Sequence, residues 1–135
     1  MSQRRVLVVD DDQTVLFLVT KLLKGAGYAV GTAQDANQAV MQAHREVPHL
    51  IVTDMMMPAG GGMTVLERLL MSSKTNTIPI LVLTASDDPE VKARAMQAGA
   101  AQVLHKPLDA AVLLASVRAA IDQSTDPPAP GGGNP

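Results

Sequence analysis

Four short apolar runs that each end on polar residues constrain the fold of this chain more than any other feature. Helix-like segments separate the runs, and several of the apolar residues are β-branched. Short β-branched runs alternating with helical segments are typical of parallel strands in an open α/β sheet. The runs and the residues that end them are Val6–Val9 before Asp10 and Asp11, Leu50–Thr53 before Asp54, Ile80–Leu83 before Thr84, and Val103–His105 before Lys106.

The carboxyl ends of parallel strands meet at one edge of the sheet, and ligands bind outside that edge where the strand order reverses. We therefore expect the carboxylates of Asp10, Asp11 and Asp54 to lie near one another. The hydroxyl of Thr84 and the ammonium of Lys106 should reach the same edge. This combination predicts a site for a divalent cation and a phosphoryl group.

Composition narrows the class of protein. A chain of 135 residues corresponds to one domain. The absence of cysteine excludes disulfides and thiolate chemistry, and the net charge of −2 with mixed signs provides no basic stripe for nucleic acid. No apolar run approaches the roughly 20 residues of a membrane span. We expect a cytoplasmic protein with no nucleic-acid or membrane partner.

Strands and helices alternate about five times along the chain. The residues predicted to cap the helices are Asp12, Asp35, Asp109 and either Asp87 or Asp88. The predicted elements are strands at Val6–Val9, about Ala29–Ala33, Leu50–Asp54, about Ile78–Thr84 and about Ala101–His105, and helices at Gln13–Lys24, after Asp35, at about Met63–Met71, from Pro89 and after Asp109.

Apolar spacing also predicts which faces of the first and last helices are apolar. In the first helix, the i, i+3, i+4, i+7 pattern places Val15, Leu18, Val19 and Leu22 on one face. In the helix predicted after Asp35, His44 is expected on the face that contacts solvent. In the last helix the residues expected to point mostly inward are Val112, Leu113, Ser116, Val117 and Ala120.

The polar residues at the strand ends belong to four motifs that lie in order from residue 4 to about residue 122. With these motifs the chain resembles a response-regulator receiver domain of the bacterial two-component systems. One such motif is a weak indication, but four at the family's spacing are specific. The motifs are Val8-Val9-Asp10-Asp11, Thr53-Asp54 followed by Met57-Pro58 and Gly62, Leu83-Thr84-Ala85, and Lys106-Pro107.

The resemblance implies a flavodoxin-like, doubly wound (βα)5 fold with a five-stranded parallel sheet in the order 2-1-3-4-5. It places the receiver domain at residues 1–123. Residues 124–135 are rich in Pro, Gly and polar residues, so we expect a disordered tail or the stub of a linker.

The resemblance also implies the role of each site residue. Asp54 would be the nucleophile and the phosphate acceptor, forming an acyl phosphate. Asp10, Asp11, Asp54 and the backbone carbonyl of Met56 would bind Mg²⁺, a cation that prefers oxygen ligands. Lys106 would pair with Asp54 and then with the phosphoryl oxygens, while Thr84 would donate its hydroxyl to the phosphoryl group. Three neighbouring carboxylates repel one another, so at least one should titrate high without the metal.

A sensor histidine kinase or a phosphotransfer protein is the phosphoryl donor that the resemblance implies. The signal would pass to a downstream protein target through the face formed by helix 4, strand 5 and helix 5. Such a domain phosphorylates and dephosphorylates itself and is a signalling domain rather than a turnover enzyme.

Two other functions fit parts of the sequence. The first is an interaction module with a receiver-like fold that takes no phosphate. The second is a haloacid-dehalogenase-type phosphatase, because Asp10-x-Asp12-x-Thr14 matches the motif in which Asp10 would be the nucleophile. The phosphatase would leave Asp54, Thr84 and Lys106 only partly explained. Taken singly, an Asp at a strand end is usually a cap or turn residue.

Three further sets of residues, the neighbouring methionines, the neighbouring glycines and the histidines, are better explained by a structural role than by ligand binding. Met55–Met57 is expected to fill gaps in the core and loop, because methionine copper sites need Cys or His partners. Gly60–Gly62 lacks the lysine and serine of a P-loop and predicts a flexible turn. His44, His49 and His105 are isolated and have no metal-ligand spacing.

The chain departs from the family pattern at Val103. Many receivers carry Tyr or Phe three residues before the lysine, and that ring swings inward when the threonine hydroxyl moves to the phosphate. Valine has one stiff torsion and little surface to move. We therefore expect a smaller rearrangement of this face than an aromatic ring would give. Gly61 occupies a place that is often acidic, and Leu108 follows Pro107.

Overall fold

A computed structural model of the protein describes residues 3–57 and 61–123. Its five parallel strands form one sheet in the order β2-β1-β3-β4-β5, and a helix follows each strand. This is the flavodoxin-like order that the sequence predicted. The strands are β1 (Arg5–Val9), β2 (Ala29–Ala33), β3 (Leu50–Asp54), β4 (Ile80–Thr84) and β5 (Gln102–His105), and the helices are α1 (Gln13–Gly25), α2 (Ala36–Arg45), α3 (Gly61–Leu70), α4 (Pro89–Gln97) and α5 (Ala110–Gln123).

Helices cover both faces of the sheet, which explains why the central strands are continuously apolar. Successive residues of a strand point to opposite faces. Ile51 and Val82 pack in the layer beneath α2, α3 and α4. Val52 and Leu83 pack in the opposite layer, beneath α1 and α5. The core is aliphatic, and Phe17 on α1 is largely exposed.

Aspartates cap four helices, as the sequence predicted. The carboxylates of Asp12 and Asp35 accept hydrogen bonds from backbone N–H groups in the first turns of α1 and α2. Asp88, rather than Asp87, caps α4 by accepting the N–H of Glu90 at 2.9 Å. Asp109 accepts the N–H of Val112 at 3.1 Å. These caps fix where each helix leaves the edge that carries the predicted site.

The four α1 residues predicted to share a face do so, but all four of them line a groove. The fully buried side of α1 consists of Leu16, Val19 and Leu23. Leu18 is 53% exposed. A groove of about 680 Å³ runs between α1 and the segment that joins β5 to α5, and its lining includes Val15, Leu18, Val19, Leu22, Lys106, Pro107 and Leu108.

Three predictions about local structure are wrong. Val112 is exposed and not inward, because it lies on the solvent side of α5. His44 is half-buried, and its ring contacts the Val40 carbonyl at 2.9 Å and Ser72 Oγ at 3.0 Å. The second and third glycines of the predicted turn begin α3.

The backbone at residue 61 explains why this chain has a glycine where many receivers have an acidic residue. Its φ is +61°, and an added Cβ would clash with the carbonyl oxygen of Met55. A side chain at this position would therefore require the backbone at Met55 or Gly61 to shift.

Residues 58–60 and 124–135 lie outside the described residues, including the predicted tail. Among the helices that the structure does describe, none has the length and apolar character needed to cross a membrane.

Candidate functional site

The two central strands place two buried carboxylates at the carboxyl edge of the sheet. Asp10 directly follows β1, and its backbone N–H donates to the Ala33 carbonyl at 3.1 Å. Asp54 is the last residue of β3. Asp10 is 1% exposed and Asp54 is 5% exposed. Because both backbones are held in the sheet, the two carboxylates have little freedom to move apart.

Lys106 joins these two carboxylates. Its Nζ lies 3.2 Å from Asp10 Oδ2 and 3.2 Å from Asp54 Oδ1. The backbone N–H of Lys106 donates to the Thr84 carbonyl at 2.7 Å, which anchors the residue just past β5. The peptide bond from Lys106 to Pro107 is cis, which no sequence motif predicted. The sequence predicted the pair with Asp54, whereas the contact with Asp10 is additional.

Burial and charge shift the pKa values of this group. Burial is the largest cause that raises the pKa of Asp54 above its usual value, and the nearby charge of Asp10 raises it further. The charge and hydrogen bond of Lys106 and the backbone N–H of Met56 oppose these effects without cancelling them. The repulsion expected from the sequence is thus present, but it ranks second to burial.

The pKa of Lys106 is also raised. Burial alone would lower it, but the charges of Asp54 and Asp10 and the hydrogen bonds to both carboxylates outweigh that effect. The ammonium therefore stays charged at neutral pH. One positive charge faces three carboxylates, so the group retains negative charge that attracts cations.

The geometry of the acidic residues fits a small divalent cation. Carboxylate oxygens of Asp10, Asp11 and Asp54 lie within 4.8 Å of one another. Asp11 is exposed, which leaves the cluster open to solvent on one side. Oxygen ligands with room for water are what Mg²⁺ prefers. The predicted role of the Met56 carbonyl stays a prediction, and the Met56 side chain is 70% exposed.

Thr84 ends β4 on the same edge of the sheet. Asp54 pairs in register with Leu83, so Thr84 extends one residue beyond that pair. Its side chain is buried, and Oγ1 accepts the backbone N–H of Ser86 at 3.0 Å. The hydroxyl therefore connects the strand to the loop that follows it.

One contact beside the site was not predicted. The spacing of the histidines predicts that His105 is isolated, but its Nε2 lies 2.9 Å from Oδ1 of Asp87 in the loop between β4 and α4. The sequence could not show this contact, because the pairing of β4 with β5 brings together residues distant along the chain. Met55 and Met57 pack in the core, as expected.

The structure does not favour the phosphatase motif. Its second aspartate, Asp12, accepts the N–H groups of Thr14 at 2.9 Å and Val15 at 3.4 Å as the N-cap of α1. The Asp12 carboxylate is exposed and caps α1, so the helix cap explains its position without a catalytic role.

Comparison with known proteins gives one family. The family model described as the response regulator receiver domain matches residues 6–118. The chain belongs to this family, as its motifs predicted.

Individual relatives agree with the family match. The response regulator PleD of Caulobacter vibrioides is 37% identical over 114 residues, which cover 84% of this chain and 25% of PleD. The chain spans about a quarter to a half of the length of the curated relatives that it matches first.

Two solved structures share the fold. The chemotaxis protein CheY4 of Vibrio cholerae has a TM-score of 0.84 and 32% identity, covering 88% of this chain and 99% of that chain. The receiver domain of sensor histidine kinase PA1611 of Pseudomonas aeruginosa has a TM-score of 0.83 and 26% identity, covering 90% of this chain and 99% of that one. The latter structure contains a magnesium ion coordinated in its active-site cleft.

Proposed function

We propose that this chain is the phosphoacceptor of a two-component phosphorelay. A histidine kinase or a phosphotransfer protein would transfer a phosphoryl group to Asp54 in the presence of Mg²⁺. The observation that carries the proposal is the Lys106 ammonium, 3.2 Å from both Asp54 and Asp10, within a cluster of three carboxylates. A phosphoryl group on Asp54 would lie beside this ammonium, which would neutralise part of the phosphoryl charge.

Asp54 is the proposed nucleophile. One of its carboxylate oxygens attacks phosphorus, the bond from phosphorus to the donor's imidazole nitrogen breaks, and an acyl phosphate forms. The imidazole leaves with the electron pair and takes up a proton. Because burial raises the pKa of Asp54, a cation beside it would favour the ionised, nucleophilic form.

Lys106 and Thr84 are proposed to hold the transferred group. The Lys106 ammonium moves from the carboxylate of Asp54 to the phosphoryl oxygens and neutralises part of their charge. Thr84 turns its hydroxyl to donate to another phosphoryl oxygen. Asp10, Asp11, Asp54 and the Met56 carbonyl would hold Mg²⁺, which supplies further positive charge to the phosphoryl oxygens. Catalysis here is mainly positioning and charge neutralisation.

The groove beside α1 is the surface on which we place the phosphoryl donor. Its apolar walls include Leu18, Leu22 and Leu108, and it borders Lys106. A protein seated there would bring a phosphohistidine to the edge that carries Asp54. We propose that a downstream protein contacts the face formed by α4, β5 and α5 and receives the signal there. We also propose that the protein acts in the cytoplasm, where such donors act.

Labelling by a small donor tests the proposal. Acetyl phosphate with Mg²⁺ should add one phosphoryl mass to the intact wild-type chain, and D54N should remove that addition. D122N, a matched exposed carboxylate on α5, should label like the wild type. Normal labelling of D54N, together with loss of labelling in D10N, would assign the nucleophile to Asp10. A folded wild-type chain labelled neither by acetyl phosphate nor by a kinase would instead be an interaction module.

A further inference from the structure

Thr84 and His105 are neighbours across the sheet. They are register partners in the parallel pair of β4 and β5. Partner residues in adjacent parallel strands point to the same face. Two residues earlier in each strand, Val82 and Val103 contribute to the layer beneath α2, α3 and α4. Thr84 and His105 therefore share the α4 side of the sheet at its carboxyl edge.

Side-chain contacts tie the loop between β4 and α4, residues 85–88, to both strands. The N–H of Ser86 donates to Thr84 Oγ1 at 3.0 Å, and the N–H of Asp88 donates to Ser86 Oγ at 3.1 Å. Between these two residues, Asp87 Oδ1 lies 2.9 Å from His105 Nε2. The loop is thus attached to β4 through Thr84 and to the edge strand β5 through His105.

We propose that the contact between His105 and Asp87 is the connection through which a displacement of this loop reaches β5. The inference rests on the proposed function, because Thr84 would turn its hydroxyl toward a phosphoryl group on Asp54. The turn withdraws Oγ1 from the N–H of Ser86, and the loop loses this hydrogen bond to β4. The attachment to His105 remains, so the imidazole and the end of β5 follow the loop.

His105 suits this role better than Val103. Val103 is half-buried and has no polar atom with which to hold the loop. His105 is the last residue of a strand at the edge of the sheet, where backbone movement breaks few other contacts. The side chains of His105 and Asp87 are 51% and 95% exposed, so the contact adds little to stability. Its loss should alter coupling and leave the fold intact.

Amide chemical shifts with and without beryllofluoride, a phosphoryl mimic, test the inference in the full chain. In the wild type, beryllofluoride should shift the amides of Gln102–His105 measurably. In D87A and in H105A this shift should fall by at least half, and the double variant should lose no more than either single variant. The shifts of Asp54–Met57 should stay as in the wild type. H105Q keeps an N–H donor and should recover part of the response.

A matched control is the exposed pair of Arg5 and Glu46, in which Arg5 Nη1 lies 3.3 Å from Glu46 Oε1. E46A should leave the response of β5 unchanged. An undiminished β5 response in D87A and H105A would overturn the inference, as would an equal loss in E46A.

Labelling by acetyl phosphate, measured on the same samples, separates this inference from the proposed function. All of these variants should label on Asp54. A wild-type chain that neither labels nor responds to beryllofluoride would overturn both proposals. Normal labelling with an undiminished β5 response in D87A and H105A would overturn only the inference. The ring ¹⁵N shift of His105 Nε2 should change in D87A without any phosphoryl mimic, and an unchanged shift would also overturn the inference.

Discussion

The centre of the sheet and its β5 edge are held in different ways, although both contribute to the site. At the centre, β1 and β3 are packed on both faces, and Lys106 ties their terminal carboxylates together. At the edge, half of β5 is exposed, and side-chain hydrogen bonds hold the nearby loop between β4 and α4. Elements with few buried contacts open at low cost. Under the proposed function, the rigid centre would position the chemistry and the softer edge would respond to it.

The largest effect is expected at the centre when Lys106 is removed. K106A leaves Asp10 and Asp54 buried without their cation, and we expect the free energy of unfolding at neutral pH to fall by about 2 kcal/mol. This is less than for a fully buried pair, because the Lys106 side chain is 21% exposed. Urea denaturation measures the change, with K92A on the exposed side of α4 as control. Equal stability of K106A and K92A would show that the centre does not depend on this contact.

Magnesium should stabilise the centre by mass action. At a free concentration of ten times Kd, the gain is about 1.4 kcal/mol. D11A should lose most of this gain, and D122A should keep it, as measured by Tm in a Mg²⁺ titration. An unchanged titration in D11A would remove Asp11 from the site.

Asp54 should destabilise the metal-free chain, because its raised pKa means that the folded state disfavours the charged carboxylate. This cost is fully present above the folded pKa and disappears as pH falls toward the usual value of 3.8. D54N should therefore have a higher free energy of unfolding than the wild type at neutral pH. The difference from the wild type should shrink on acidification. A D54N chain less stable than the wild type at neutral pH would contradict this account.

The smallest effect concerns the lifetime of the acyl phosphate. Met56 and Ser86 lie two residues beyond Asp54 and Thr84, and in this family these positions flank the path of the attacking water. The apolar Met56 should hinder an in-line water, so the phosphorylated form should be long-lived. M56N should lose its phosphoryl group several-fold faster in a dephosphorylation time course. An unaltered or slower decay would show that Met56 does not shield the acyl phosphate.

The sequence predicted the centre better than the edge, for physical reasons. Continuous β-branched runs define buried parallel strands, so the positions of Asp10, Asp54 and Thr84 followed from where each run ends. The contact of Lys106 with Asp10 and that of His105 with Asp87 depend on tertiary geometry. No local pattern records either contact.

Helix faces and boundaries show the same limit. The apolar spacing of α1 placed Leu18 and Leu22 on one face, but it could not distinguish the core from a solvent-facing groove. The glycines at 61 and 62 indicated a turn, whereas Gly61 begins α3, where a Cβ would clash with the Met55 carbonyl oxygen. Glycine has a low helix propensity, but it occupies position 61 because a Cβ would be too close to the Met55 carbonyl oxygen.

The most direct test of the difference between centre and edge is the map of amide shifts that beryllofluoride produces in the wild-type chain. We expect large shifts at Asp54–Met57 and at Thr84–Asp88, because these segments would carry the phosphoryl group and the loop tied to Thr84. We expect smaller shifts near Val103, because a valine exchanges little buried surface; each buried methylene is worth about 0.8 kcal/mol. Shifts near Val103 as large as those at Thr84, or an absence of shifts at Asp54, would contradict this expectation.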